Sequence, residues 1–184
     1  MSGGEGMVEI TISGAPGSGT STLVRRICAE MGWRSLNGGD VFRAEAERRD
    51  LSVHDFSELC KNDLDVDRSL DFRLKQAMTD SAGPEVLESR LSGWWAHRLD
   101  IDCIRVWIDT SDEERARRVQ NREGGEFELR LGESSRRQAA DKARYRSLYD
   151  IDLDDMTPYT LVIDANDLSA EEVYALVETE MGAD

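Results

Sequence analysis

Apolar residues in this chain follow two alternating patterns, short β-branched runs and longer segments with helical spacing. Residues 8–13 form a run of the first kind and lead directly into a glycine-rich segment. From Ser21 onward, apolar residues recur at helical spacing as far as Gly32, a residue type that suits a helix end. The beginning of the chain therefore predicts a strand, a glycine-rich loop and a helix, in that order.

Three further apolar runs, residues 85–88, 104–109 and 160–164, can complete a parallel sheet. Helix-like sequence follows each run, and we expect Ser111 and Ser169 to cap the helices after the last two. This alternation predicts a three-layer α/β fold with right-handed crossovers. The length of 184 residues predicts a single domain, and ligands in such a sheet bind beyond the carboxyl ends of the strands.

Two segments interrupt the alternation of strand and helix. Residues 39–82 predict consecutive helices without a strand between them, broken near residues 49–52 and 61–63, so we expect an insertion after the second strand. Residues 123–135 form a polar, glycine-containing segment between two arginine-rich helices. Such a segment is typical of a mobile flap, and we interpret it as a lid.

The acidic composition limits the partners of the chain. There are 38 Asp plus Glu against 23 Lys plus Arg, which gives a formal net charge of -15. Such a surface repels nucleic acid. It also suits a cytoplasm at molar salt, where charges are screened within about 3 Å, so we expect a halophilic archaeal source, with a merely acidic protein as the alternative. The absence of a bilayer-spanning run, a signal-like start and an apolar stripe predicts a cytoplasmic monomer without membrane contact.

Residues 14–21, which we call the glycine loop, carry the clearest chemical signal. Their sequence fits G-x-x-x-x-G-K-[ST] except that Thr20 replaces the lysine. Glycines let backbone N–H groups face phosphate oxygens, the following helix N-terminus adds positive potential, and the Ser21 hydroxyl suits Mg²⁺. A glycine-rich turn without ligand is the alternative. The residues expected to bind ATP are Gly14, Ala15, Pro16, Gly17, Ser18, Gly19, Thr20, Ser21 and Thr22.

Without the lysine, another group must neutralise a phosphoryl group in transfer. Arginines recur at helical spacing on both sides of the predicted lid, from Arg115 before it and from Arg137 after it. A solvated, salt-bridged surface is the alternative interpretation of such faces. Because two of them flank one glycine-containing segment, we expect phosphate contacts. The residues expected to take part in catalysis are Arg118, Arg122, Arg137, Asp141 and Arg144.

The predicted insertion and the third strand carry residues suited to a second ligand. A nucleotide acceptor needs a guanidinium for its phosphate and polar groups for its base. We expect Arg43 and Arg90 to bind the phosphate. Asp67, and Asp71 four residues later, can equally be a solvent-facing acidic pair. The residues expected to bind the acceptor are Asp40, Arg43, Asp67 and Arg90.

In their order along the chain, these segments resemble the nucleoside monophosphate kinases, and most closely the archaeal-type cytidylate kinases. The resemblance rests on the glycine loop with threonine in the lysine place and on residues 39–43, 67–71, 87–94, 144–145, 149–152 and 159–164. It implies a P-loop kinase fold with a parallel sheet, a helical monophosphate-binding insertion and a small lid. It also implies ATP with Mg²⁺ at the glycine loop, and CMP or dCMP under the insertion.

The same resemblance implies roles for individual residues. Arg43 and Arg90 would hold the acceptor phosphate. The spacing R-x-x-x-D-x-x-R of cytidylate kinases is matched by Arg137, Asp141 and Arg144, which would reach the acceptor and the transferring phosphoryl group. The lid departs from the family pattern, since residues 124–127 read Gly-Gly-Glu-Phe.

The expected reaction is transfer of the γ-phosphoryl group of ATP to CMP or dCMP, giving ADP and CDP or dCDP. The acceptor oxygen is already ionised at neutral pH, so no strong general base is required. Glu88 or Asp109 can orient a magnesium-bound water, and the sequence does not choose between them. The alternatives are a kinase acting on AMP, UMP or a non-nucleotide acceptor, and a non-catalytic nucleotide-binding switch.

Overall fold

Five parallel strands form one sheet in the order β2-β3-β1-β4-β5. The structure is a computed structural model, and it describes residues 8–182 except for the side chains of His54, Ser57, Glu58, Lys61, Asn62, Leu64 and Asp67. The strands are β1 Ile10–Gly14, β2 Ser35–Asn37, β3 Val86–Glu88, β4 Ile104–Asp109 and β5 Leu161–Asp164. Since all run in one direction, their carboxyl ends meet at one edge.

Helices cover both faces of this sheet. They are α1 Thr20–Met31, α2 Gly38–Arg48, α3 Val53–Asn62, α4 Leu64–Thr79, α5 Ser92–Arg98, α6 Asp112–Glu123, α7 Phe127–Tyr149 and α8 Ala170–Met181. Successive residues of a strand point to opposite faces, so Val86 packs in the cluster with α1 and α8, and Leu87 in the cluster with α2 to α5. The expected three-layer α/β architecture is confirmed.

The insertion consists of α2, α3 and α4, without a strand between them, and the helices break where the sequence predicts. The serine caps are also confirmed: Ser111 Oγ accepts from the N–H of Glu114, and Ser169 forms a reciprocal capping box with Glu172. The sequence analysis assigned no residues to strand β2. It has only three residues, and none of them is fully buried, so it lacks the apolar run by which the other strands are recognised.

The segment of residues 123–135 differs from the predicted polar flap. Only residues 124–126 lie outside helices, and α7 already begins at Phe127. Gly124 and Gly125 have positive φ values of 74° and 95°, which let the chain turn sharply between α6 and α7. Residues 128–131 are good helix formers, and Arg130 pairs with Glu133 one turn later, so the helix extends through the polar stretch. The lid itself stays a prediction.

Candidate active site

The glycine loop joins β1 to α1 through backbone conformations that only glycine adopts without strain. Gly17 and Gly19 have φ values of 89° and 103°. At Gly14, a Cβ atom would lie 2.5 Å from Ser18 Oγ and 2.9 Å from the carbonyl oxygen of Ile108. Gly19 is the N-cap of α1, and no side chain caps that helix. Its first N–H groups are therefore suited to an anion.

Glu88 lies at the carboxyl end of β3 and faces the beginning of α1. Its Oε1 atom accepts a hydrogen bond of 2.9 Å from Ser21 Oγ, and its Oε2 atom accepts one from Asn37 Nδ2. Asn37 also caps α2, because its side-chain oxygen accepts from the N–H groups of Gly39 and Asp40. One carboxylate thus connects the glycine loop with the start of the insertion.

Asp109, the other acidic residue at a strand end, lies exposed at the end of β4 opposite Asp164 of β5. Among residues 8–182, apart from the side chains excluded above, no group of three or more His, Cys, Asp or Glu residues is arranged to hold a metal ion.

Arg90 follows β3 and connects the glycine loop with α7. Its Nη1 atom donates to the carbonyl oxygen of Gly14 over 2.8 Å, and its Nη2 atom donates to Asp141 Oδ2 over 2.6 Å and to Gln138 Oε1 over 3.1 Å. Only 15% of the Arg90 side chain is exposed. Burial lowers the pKa of Arg90, the Asp141 carboxylate opposes that shift, and the charge of nearby Arg137 adds to it.

The predicted triplet on α7 lies beside Arg90. Arg144 Nη2 donates to Asp141 Oδ1 over 3.2 Å and to the hydroxyl of Tyr145 over 2.8 Å. Burial raises the pKa of that hydroxyl to about 12, so it stays protonated at neutral pH. Arg137 is exposed, and its guanidinium forms no hydrogen bond or ion pair within the described part of the chain. The triplet thus combines a paired carboxylate with a solvent-facing cation.

Helix α6 presents its predicted arginine face to the glycine loop rather than to solvent. Arg115 Nη1 donates to the carbonyl oxygen of Pro16 over 3.4 Å, and Arg118 Nη1 donates to that of Ser18 over 2.7 Å. Arg118 also lines a cavity of about 240 Å³, which lies between the glycine loop, α6 and α8. Arg122, by contrast, is exposed and pairs with its neighbour Glu123.

The insertion places its candidate residues on two helices. Arg43 is exposed on α2, where it pairs with Asp40 over 2.5 Å and borders an open cavity of about 450 Å³. On α4, the carboxylate of Asp71 accepts a hydrogen bond of 2.5 Å from the Tyr149 hydroxyl of α7. Asp71 is therefore not a purely solvent-facing residue. The side chain of Asp67 lies outside those that the structure describes.

The sequence analysis missed two residues of this region, Asn37 and Gln138. Asn37 could have been found, because an asparagine directly before Gly38 and Gly39 is a helix-cap signal. Gln138 could not, because a single polar residue on an arginine-rich helix carries no sequence pattern.

Comparison with known proteins decides the family. Residues 13–133 match the family described as AAA domain. The cytidylate kinase of Archaeoglobus fulgidus is 35% identical over 170 residues, which are 92% of each chain. The cytidylate kinase of Halobacterium salinarum is 38% identical over 84% of this chain and 79% of its own, and that of Methanocorpusculum labreanum is 33% identical over 96% and 97%.

The chain belongs to the archaeal cytidylate kinase family. The predicted resemblance is therefore confirmed, and the halophilic archaea among the relatives agree with the acidic composition of this family member.

Solved structures agree with the fold of the family. A shikimate kinase from Bacteroides thetaiotaomicron superposes with a TM-score of 0.61 at 15% identity, covering 96% of this chain and 97% of its own. A gluconokinase from Sinorhizobium meliloti gives 0.61 at 14% identity, covering 97% and 93%. Both confirm the three-layer α/β fold. Within the described residues, no helix has the length and apolarity required to span a bilayer.

Proposed function

We propose that this chain transfers the γ-phosphoryl group of ATP to CMP or dCMP, giving ADP and CDP or dCDP. The observation that carries the proposal is the position of Arg90, which contacts the glycine loop at Gly14 and α7 at Asp141. A guanidinium expected at the acceptor phosphate thus lies directly against the loop expected to hold ATP. Phosphoryl transfer requires such an arrangement, because donor and acceptor must meet in line. Relatives named cytidylate kinases support the choice of base.

The donor nucleotide fits the glycine loop and the cavity beside it. The uncapped start of α1 and the loop N–H groups suit the phosphates. The cavity of about 240 Å³ is lined by apolar side chains, among them Leu23, Leu168 and Val173, together with Arg118. A flat base can enter it between the apolar groups and the guanidinium plane.

The oxygens of Ser21 and Glu88 form a donor set that suits Mg²⁺. Hydroxyl and carboxylate oxygens are hard ligands, and Mg²⁺ bound with ATP keeps several waters and phosphate oxygens in its shell. Ser21 would contact the ion, and Glu88, which accepts from the Ser21 hydroxyl, would orient a coordinated water. When bound, Mg²⁺ neutralises charge on the β- and γ-phosphates.

The arginines around the glycine loop would supply the remaining positive charge. The acceptor phosphate is ionised at neutral pH, so catalysis requires position and charge neutralisation rather than a general base. Thr20 brings no charge to the loop. Arg137 is suited to contact the transferring phosphoryl group, because its guanidinium forms no ion pair with a carboxylate of the described residues. Closure of the region around residues 124–126 would exclude water from the reaction.

Acceptor binding would fall to Asp40, Arg43, Asp67 and Arg90, with Arg43 and Arg90 at the phosphate. Asp141 and Arg144 would reach the acceptor and the transferring phosphoryl group. The net charge of -15 favours a protein that does not bind nucleic acid, and we expect a monomer.

A coupled assay of ADP formation at molar KCl tests the function with a panel of CMP, dCMP, UMP, AMP and no acceptor. We expect the highest kcat/KM with CMP or dCMP and almost no ADP without acceptor. Preference for AMP or UMP would overturn the base assignment. ATP binding without ADP formation on any acceptor would instead support a nucleotide-binding switch.

The acceptor site is tested by Arg43→Ala, which we expect to raise KM for CMP about tenfold, because a phosphate contact contributes on the order of 1.4 kcal/mol. The matched control is Arg146→Ala. Arg146 is also 60% exposed and also pairs with an aspartate on its own helical face. If the two changes raised KM for CMP equally, the assignment of Arg43 to the acceptor site would be wrong.

A further inference from the structure

A continuous chain of polar contacts runs from α7 through α6 to the glycine loop. Ser135 Oγ of α7 donates to Asp112 Oδ2 over 2.7 Å. The other carboxylate oxygen of Asp112 accepts from Arg115 Nη2, and Arg115 Nη1 donates to the carbonyl oxygen of Pro16. Three side chains thus connect the helix that carries Arg137 with the loop expected to hold ATP.

The middle of this chain is held firmly. Only 2% of the Arg115 side chain is exposed, and a buried charge is tolerated only when it is paired. The Ser135 hydrogen bond, followed by the Arg115 contacts, lowers the pKa of Asp112, so its carboxylate is ionised at neutral pH. A Cβ atom on Gly17 would lie only 3.3 Å from Arg115 Cβ, which shows how closely the loop packs on this side chain.

A second bridge joins the same two parts of the molecule. Gln138 and Asp141 of α7 accept hydrogen bonds from Arg90, which in turn donates to the carbonyl oxygen of Gly14. The first bridge therefore begins on α7 at Ser135, and the second begins at Gln138 and Asp141. Arg137 lies between these points, within one helical turn of both.

We propose that Ser135, Asp112 and Arg115 are positioning residues that fix Arg137 relative to the glycine loop. The inference rests on the proposed function, in which Arg137 neutralises the transferring phosphoryl group. Arg137 forms no bond with described residues that would hold it, so its position depends on how α7 is placed. A misplacement of about 1 Å in such a group costs on the order of a hundredfold in rate. Thr20 increases this dependence, because the loop has no lysine of its own.

The test compares Ser135→Ala, Ser135→Thr and Ser147→Ala in the full chain, with kcat, KM for both substrates and the thermal midpoint measured for each. Ser147 is exposed on the same helix and provides the matched control. We expect Ser135→Ala to lower kcat about tenfold with KM changed less than about twofold, because a positioning defect acts in the transition state. Ser135→Thr keeps the hydroxyl and should retain at least about half of the wild-type kcat.

The decisive measurement is Ser135→Ala in an Arg137→Ala background. If Ser135 acts through Arg137, the second change lowers kcat no further, because the group it positions is absent. Multiplying effects of the two changes would overturn the proposal, as would a kcat of Ser135→Ala equal to that of Ser147→Ala. A fall in kcat matched by an equal fall for Ser135→Thr would also contradict it. Wild-type protein without CMP-dependent ADP formation would refute the proposed function instead.

Discussion

Ser21 Oγ and Glu88 Oε1 lie 2.9 Å apart, so the hydroxyl at the start of α1 donates to a carboxylate at the end of β3. The sequence offered two acidic residues at strand ends, Glu88 and Asp109, as partners of a magnesium-bound water. Only Glu88 contacts the glycine loop, whereas Asp109 lies exposed at the end of β4. The geometry therefore favours Glu88 for that role.

Glu88→Gln should lower kcat about tenfold or more and raise the Mg²⁺ concentration needed for half-maximal rate. The amide keeps the size of the side chain but removes the charge that orients a water on the ion, and such outer ligands contribute roughly 10- to 100-fold. Initial rates across a Mg²⁺ titration at saturating ATP and CMP measure the effect. Asp109→Asn is the control and should leave the titration curve in place. A larger shift for Asp109→Asn than for Glu88→Gln would reverse the assignment.

Arg137→Ala should lower kcat by about two to three orders of magnitude with little change in ATP affinity. Loss of one preorganised cation from a phosphoryl-transfer site removes stabilisation present mainly in the transition state. Steady-state kinetics measure kcat, and calorimetric titration measures ATP binding. Arg136→Ala, which removes the exposed neighbouring arginine, should change kcat less than about threefold. Comparable losses in the two variants would mean that general surface charge, rather than this guanidinium, matters.

Gly19→Ala should weaken ATP binding at least about tenfold, or 1.4 kcal/mol. Gly19 has a φ of 103°, and its added Cβ would lie 3.5 Å from Arg118 Nη1 at the mouth of the loop. Gly32→Ala is the matched control, since Gly32 has a φ of 68° with nothing within 4 Å of the added Cβ. Both changes should lower the free energy of unfolding by about 1 kcal/mol, because alanine disfavours positive φ. Unchanged ATP affinity in Gly19→Ala would place the nucleotide elsewhere.

The sequence predicted features that arise from local patterns. The apolar runs located β1, β3, β4 and β5 to within two residues, and the helix periodicity and caps located most helices. The short strand β2 was missed because its three residues are all at least partly exposed and are too few to show an apolar pattern. Residues 127–135 were interpreted as a flap on their polarity, although Arg130 and Glu133 stabilise a helix there.

Contacts within the candidate site required the three-dimensional structure. Asp141 and Arg144 lie three positions apart on one helix and form a local ion pair. The contact of Asp141 with Arg90 spans fifty-one sequence positions and depends on how α7 packs beside the glycine loop. The sequence placed Arg115 on an arginine face expected to contact phosphate, but its side chain is buried and donates a hydrogen bond to the backbone of the glycine loop. The helical period predicts on which face of a helix a residue lies, but it does not predict which other element packs against that face.

A buried carboxylate, Glu45, links two helices of the insertion. The Glu45 carboxylate of α2 is 2% exposed and pairs with Arg48 and Arg49 of its own helix and with Arg73 of α4. The hydrogen bond from Arg48, helped by the other arginines and opposed by burial, lowers the pKa of Glu45 to about 2. This carboxylate therefore holds α2 against α4 in the charged form.

Glu45→Gln should lower the free energy of unfolding at pH 7 by about 2 kcal/mol, because charge-assisted hydrogen bonds to a buried group are lost. A glutamate has a pKa of about 4.3 in the unfolded chain, and the pKa of Glu45 is lower in the folded protein. The carboxylate therefore stabilises the fold fully above about pH 5, and this stabilisation disappears as the pH falls towards 2. Denaturant titrations across this range should show the two proteins converging at low pH. Glu47→Gln, at an exposed position of the same helix, should match wild type at every pH. A constant difference between Glu45→Gln and wild type down to pH 2 would mean that packing, rather than charge, accounts for the stabilisation.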